Sequence, residues 1–85
     1  MDIRHPLTDL DMTMLEGCWQ NNLAVHILLT KSDKYKFGKA KNTLLTVQSQ
    51  LNDQPRTSIQ LFSALKKQGV TEARAKLATF YNATD

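Results

Sequence analysis

Cysteine occurs once in the chain, at Cys18, so neither an internal disulfide framework nor a thiolate metal cluster can form. A lone thiol suits a reducing, cytosolic setting. Glycine is equally sparse: Gly17, Gly38 and Gly69 stand isolated. The sequence therefore contains no Gly-rich phosphate loop ending in Gly-Lys-Ser/Thr, and no Asp-x-x-Gly. Histidine is confined to His5 and His26, without the carboxylate or cysteine spacing of a metal site. No apolar run approaches the roughly 18 to 20 residues that cross a bilayer. The N-terminal stretch MDIRHPLTDLD has no apolar core segment of the kind that marks a secretory signal. These absences lead us to expect a cytoplasmic chain with no membrane partner and no metal ligands of its own.

What is present is globular. The 85 residues are 41% hydrophobic and 22% charged, enough for one domain with a modest core. The net charge of +3 permits an anionic partner without requiring one.

Helix and strand patterns alternate. Thr8 followed by Asp11 has the spacing of a capping box, and Leu7, Leu10, Met14, Leu15 and Cys18 form an apolar stripe at helical spacing. Asn21 and Asn22 suit the end of that helix. Leu23 to Leu29 is nearly continuous in apolar character, the pattern of a strand buried on both faces of a parallel sheet. A second helix is expected from about Lys39 to Leu51, with Ala40, Leu44, Val47 and Leu51 facing the core. The turn NDQPR follows, then a half-exposed strand from Thr57 to Ser63, with Ile59 and Leu61 on one side and Ser58, Gln60 and Phe62 on the other. A last helix starts near Val70, its stripe set by Val70, Ala73, Leu77 and Phe80 or Tyr81. Helix, strand, helix, strand, helix implies an α/β fold with right-handed crossovers and parallel strands. Two strands make a poor sheet, and MDIRH reads as the tail of another strand.

Ligands of open parallel sheets bind at the carboxyl ends of the strands. Here those ends carry Thr30-Lys31-Ser32-Asp33 and Ser63-Ala64-Leu65-Lys66, which adjacent strands would set side by side. A carboxylate at Asp33 can accept both adjacent donors of guanine, its ring N–H and exocyclic amine, a pattern adenine lacks. The apolar stem of Lys31 can lie against a base with its ammonium in water. Ser63 and Ala64, in a tight turn, can aim backbone N–H groups at the guanine carbonyl. Lys-x-Asp alone is common as surface charge. Joined to a preceding buried strand, a following helix and a second strand ending in Ser-Ala, it is the guanine-specificity half of a GTP-binding domain.

The segments DIRHPLTDLDMTML, VHILLTKSDK and FSALKKQGV together resemble the C-terminal half of the EngB family of bacterial GTPases, over essentially the whole chain. The Thr-Lys-x-Asp form, in place of the commoner Asn-Lys-x-Asp, is characteristic of that family and matches Thr30, Lys31 and Asp33. The resemblance implies a partial three-layer αβα P-loop GTPase fold, a single unit over residues 1–85, and GTP or GDP as ligand. It implies that Asp33 binds the guanine edge, Lys31 stacks over the ring and Thr30 holds the loop. Ser63 and Ala64 would offer backbone N–H groups, with Leu65 and Lys66 flanking. It further implies a role in large ribosomal subunit assembly and in normal cell division and septation, with ribosomal RNA as a partner. Magnesium would serve the full-length family without ligands in these residues.

Without a phosphate loop, switch threonine or Asp-x-x-Gly, the chain is expected not to hydrolyse GTP alone and to bind guanine nucleotide weakly. It reads as a fragment beginning at an internal methionine, or as a short reading frame of its own. An unpaired sheet edge would then invite self-association. The alternative reading is a small ribosome- or RNA-binding module using Lys31, Lys34, Lys36, Lys39 and Lys41, with no nucleotide role. Cys18 and Trp19 are read as packing groups, and His26 as a core or sheet-face histidine.

Overall fold

Thr8 opens the first helix, α1 (Asp9–Gln20), with the reciprocal bonds of a capping box. The Asp11 N–H donates to Thr8 Oγ1 at 3.2 Å and the Thr8 N–H donates to Asp11 Oδ2 at 3.1 Å. At the other end the Asn21 N–H returns to the Gly17 carbonyl. The computed structural model describes residues 1–83, with side-chain surroundings through Phe80, so the expected stripe position Tyr81 lies outside the described side chains. The remaining elements are β1 (Val25–Leu29), a 3₁₀ turn (Ser32–Lys34), α2 (Phe37–Leu51), β2 (Thr57–Leu61) and α3 (Val70–Ala83).

β1 and β2 pair in parallel, Val25 opposite Thr57 through Leu29 opposite Leu61. The α2 crossover therefore returns the chain to the end of the sheet from which it left β1's start. Ile27 and Leu29 are buried on one face, where Leu15 of α1 and Ala40, Val47 and Leu51 of α2 cover them. Ile59 and Leu61 join that core from β2. On the other face, α3 begins where Gly69 accepts a hydrogen bond from Gln60 Nε2. Its Lys76, Thr79 and Phe80 line a cavity with Thr57 and Ser58. The arrangement is α/β, with α1 and α2 on one face of the sheet and α3 on the other.

The N-terminal segment behaves as the strand tail its sequence suggests. Asp2 forms a parallel bridge with Thr30. The Thr30 N–H donates to the Met1 carbonyl at 2.7 Å, and the Ile3 N–H to the Thr30 carbonyl at 3.0 Å. Ile3 is fully buried beside Leu29 and Ala40.

The structure corrects several expectations. The α1 stripe is displaced: Met12, Leu15 and Trp19 meet the core, whereas Leu10 and Met14 are 70% and 65% exposed. Trp19 is anchored at its polar end, where Nε1–H donates to Thr57 Oγ1 at 3.0 Å. β1 is shorter than Leu23–Leu29, and its second face is only half covered at His26 and Leu28. Leu77 of α3 is 55% exposed rather than core-facing. α2 starts earlier than expected, at Phe37.

The edge of β1 away from β2 is open over part of its length. Val25 donates to the Arg56 carbonyl, and the Leu29 carbonyl accepts from Phe62, so odd-numbered positions bond toward β2. The N–H and C=O of His26 and the N–H of Leu28 therefore point to the other side. Among the described residues only Met1, at the Leu28 carbonyl, and the Met1–Ile3 segment at Thr30 pair with that edge.

The side chain of His26 is fully engaged. Gln60 Nε2 donates to the Gly69 carbonyl at 2.8 Å, which fixes Gln60 Oε1 as the acceptor for His26 Nε2–H at 2.6 Å. Nδ1 of His26 then accepts from the Ser58 hydroxyl at 2.7 Å. A sheet-face histidine tied to its neighbouring strand is what the sequence pattern implied.

Candidate functional site

The two strand ends are locked into one register before their loops begin. The Phe62 N–H donates to the Leu29 carbonyl at 2.9 Å, and the Ser32 N–H donates to the Phe62 carbonyl at 3.1 Å. The ladder thus runs into the loops, and Ser32 is buried between them. Its hydroxyl bonds the side-chain oxygen of Gln68, from the far side of the second loop.

The first loop turns sharply at Lys31, whose φ of 60° and ψ of 33° lie in the left-handed region. This conformation carries the chain into the 3₁₀ turn, closed by the Lys34 N–H to the Lys31 carbonyl at 2.9 Å. Asp33 rides on that turn, half-buried. The second loop closes on itself through paired backbone bonds between Ser63 and Gln68, both 3.0 Å. Gly69, at φ 77°, ends it.

Ser63 joins the two loops. Its buried hydroxyl donates to Asp33 Oδ1 at 2.7 Å and accepts from the Lys66 N–H at 3.1 Å. Asp33 Oδ2 has no partner among the described residues. The Ser63 hydroxyl bond is the main reason the Asp33 carboxyl titrates below the ordinary carboxylate range. A backbone bond and the nearby Lys34 and Lys66 charges act in the same direction, while partial desolvation opposes them. At neutral pH the group is a fixed anion with one oxygen open.

One expected role changes. The Ser63 N–H is spent on Gln68, so Ser63 does not offer its backbone donor to a ligand; it contributes the hydroxyl that sets Asp33. Among the described residues, the N–H groups of Ala64 and Leu65 carry no partner and remain to serve as donors. Thr30 ties the loop to the N-terminal segment, its hydroxyl donating to the Met1 carbonyl at 3.1 Å.

Thr30, Lys31, Asp33, Lys34, Phe62, Ala64 and Leu65 line a shallow depression of about 350 Å³. Five of the six site residues read from the sequence border it, and Ser63 lies beneath. The donor set suits a guanine edge: an ionised carboxylate for adjacent donors, free N–H groups for a carbonyl, and apolar walls from the Lys31 stem, Phe62 and Leu65 for a flat ring. Sequence reasoning overlooked Ser32, Gln68 and Asp2. The first two act through bonds across the loops that no spacing reveals; Asp2 carried a signal as the charged end of the strand-like MDIRH. No group of three or more metal-ligating side chains occurs among the described residues.

The lysines divide by partner. Lys31 Nζ lies 3.4 Å from Asp2 Oδ2, and Lys39 Nζ lies 4.1 Å from the Tyr35 ring centre. Lys34, Lys36 and Lys41 are exposed and form no ion pair among the described residues.

Ser63→Ala is expected to raise the Asp33 titration point toward its ordinary value of 3.8, followed by carboxyl carbon shifts in an NMR pH series. Because the native group titrates low, its contribution to stability is complete above that ordinary value. It is lost as pH falls through the native titration point. The variant should therefore show a shallower loss of stability below the ordinary value. An unchanged Asp33 titration would contradict this assignment of cause.

Parallel strands joined through a helix, cover on both faces, and a loop cluster at the carboxyl ends are compatible with a partial P-loop GTPase fold. Comparison with curated proteins agrees. The chain is 48% identical over all 85 residues to a protein of Ruthia magnifica subsp. Calyptogena magnifica. It is 51% identical over 78 residues, 91% of the chain, to one of Hydrogenovibrio crunogenus. Both relatives are named "Probable GTP-binding protein EngB". The chain belongs to the EngB family, and it spans 43% and 37% of the lengths of these two relatives. No family model matches the chain.

Proposed function

We propose that this chain is the guanine-recognising part of an EngB-type GTP-binding protein. The observation that carries the reading is the Ser63 hydroxyl bridging to Asp33, which leaves an ionised carboxylate oxygen open beside the Ala64 and Leu65 N–H groups. In this reading Asp33 accepts from the guanine ring N–H and exocyclic amine. Ala64 and Leu65 donate to the base carbonyl, and the Lys31 stem lies over the ring. Thr30 holds the loop to the N-terminal segment.

Phosphate and magnesium chemistry requires groups outside these 85 residues, since the sequence carries no phosphate loop. Alone, the chain binds GDP or GTP at about millimolar affinity and does not hydrolyse GTP. The whole protein's action falls in large ribosomal subunit assembly and, through it, cell division and septation in the cytoplasm. Exposed Lys34, Lys36 and Lys41 support ribosomal RNA contact beside the base site. The open β1 edge supports self-association of the isolated chain.

The test is an amide NMR titration with GDP, and with ADP as control. Shifts confined to Thr30–Lys34 and Ser63–Leu65, with GDP alone, are expected. Equal response to both nucleotides, or none, removes the base-reading role from this chain.

A further inference from the structure

We propose that Asp2 is a positioning residue for the base site: its carboxylate tethers the Lys31 ammonium and so holds the lysine stem against the ring. The inference rests on the guanine reading of that site. It goes beyond it by assigning a role to a residue that lines no part of the depression.

Asp2 is itself bonded through both carboxylate oxygens. Its Oδ1 accepts from the Arg4 N–H at 2.9 Å and from Arg4 Nε at 3.2 Å, and its Oδ2 accepts from Arg4 NH2 at 3.0 Å. Its backbone bridges to Thr30, the residue before Lys31. The Arg4 bonds keep the carboxyl ionised far below the ordinary carboxylate range. A fixed anion therefore stands 3.4 Å from Lys31 Nζ.

Lysine carries among the largest rotamer freedoms of any side chain. Lys31 is anchored at one end by its left-handed backbone and at the other by Asp2, while its stem lines the depression with Phe62 and Leu65. A ligand stacking on a stem held at both ends does not have to order it first. Removing the tether leaves the stem in place chemically but free to sample other rotamers, which weakens binding. An exposed ion pair sets the scale, about two- to fivefold in affinity.

A different role for Asp2 predicts the opposite sign. If Asp2 acted only as a negative charge near the site, its removal would tighten binding of an anionic nucleotide. The experiment is an NMR titration of the 85-residue chain with GMP, comparing Asp2→Asn, Lys31→Met, the double variant and Asp2→Glu. Lys31→Met keeps an apolar stem and deletes the ammonium. Asp2→Asn and Lys31→Met are expected to weaken binding by similar factors, the double variant no further than either, and Asp2→Glu to restore much of the loss. Unperturbed Ile3 and Thr30 amide shifts establish that the strand tail is intact; where Asp2→Asn disturbs it, the Lys31→Met comparison carries the test. Unchanged or tighter binding in either single variant, or fully additive losses in the double variant, overturns the proposal. Asp33→Asn, run in parallel, separates the two levels. If it weakens GMP binding while Asp2→Asn does not, only the tether fails; if it also has no effect, the guanine reading fails as well.

Discussion

On the proposed guanine reading of the site, Asp33→Asn is expected to erase preference for guanine over adenine nucleotides and to weaken GDP binding about ten- to a hundredfold. The cause is a mismatch of donors and acceptors. A carboxylate offers two acceptors to the two donors on the guanine edge. An amide offers one acceptor and one donor, so its NH₂ opposes a guanine donor. The same substitution should favour xanthine, whose edge presents one donor and one acceptor. Titrations with GDP, ADP and the xanthosine analogue, read at the Ser32 and Ala64 amides, decide the matter. GDP binding by the variant equal to that of the parent chain would sink the assignment of Asp33. The substitution should leave the fold intact, because the introduced amide oxygen can still accept from the Ser63 hydroxyl that now bonds Asp33 Oδ1.

The second large effect is on stability. Gly69→Ala is expected to cost about 2–3 kcal/mol. At this size that lowers Tm by about 10–20 °C. Gly69 sits at φ 77°, where a Cβ would press against the Leu61 carbonyl and the Gln60 amide. Neither can withdraw cheaply. Leu61 is a rung of the sheet, and the Gln60 amide is bonded to Gly69 and aligned by His26. The loop ending at Gly69 also carries Ser63, so the damage should reach Asp33 and appear as shifts at Ser32 and Lys34. Gly17→Ala is the contrasting case: it lies within α1 with nothing inside 4 Å of its Cβ, and should gain about 0.5–1 kcal/mol. Thermal unfolding followed by circular dichroism distinguishes the two. A Gly69→Ala chain as stable as its parent would refute the account of this turn.

The legible features were those written in local chemistry. Thr8 and Asp11 announce a helix start because a capping box needs only four consecutive residues. Ala40, Val47 and Leu51 announce a buried face because α2 is flanked by sheet on one side and solvent on the other. That the Thr30–Asp33 and Ser63–Leu65 loops lie side by side was readable because adjacent parallel strands must end together. Leu10 and Met14 were misread because spacing reports which residues share a helix face, not whether anything packs against it. β1 misled similarly: its apolar run promises two covered faces, but cover is supplied by other elements, and only one face received it fully. The Ser63 N–H was assigned wrongly because its true partner is Gln68, reached through a turn in which Lys67 takes a positive φ of 56°. Such contacts are set by backbone geometry that residue types alone do not specify.

The parallel register has a consequence for how the chain reaches this structure. His26 and Ser58, opposite one another in the sheet, are 32 positions apart in sequence. Every other rung spans the same distance, so no short hairpin can form first and recruit the rest. The two strands can meet only after the intervening segment has compacted, and α2 is the element that compacts it. Closing that separation is an entropic cost borne before the first rung forms. Acquisition of the sheet should therefore be slow for so small a chain and all-or-none. Helix-weakening changes on the solvent face of α2, at Gln48 or Ser49, should slow refolding more than they speed unfolding.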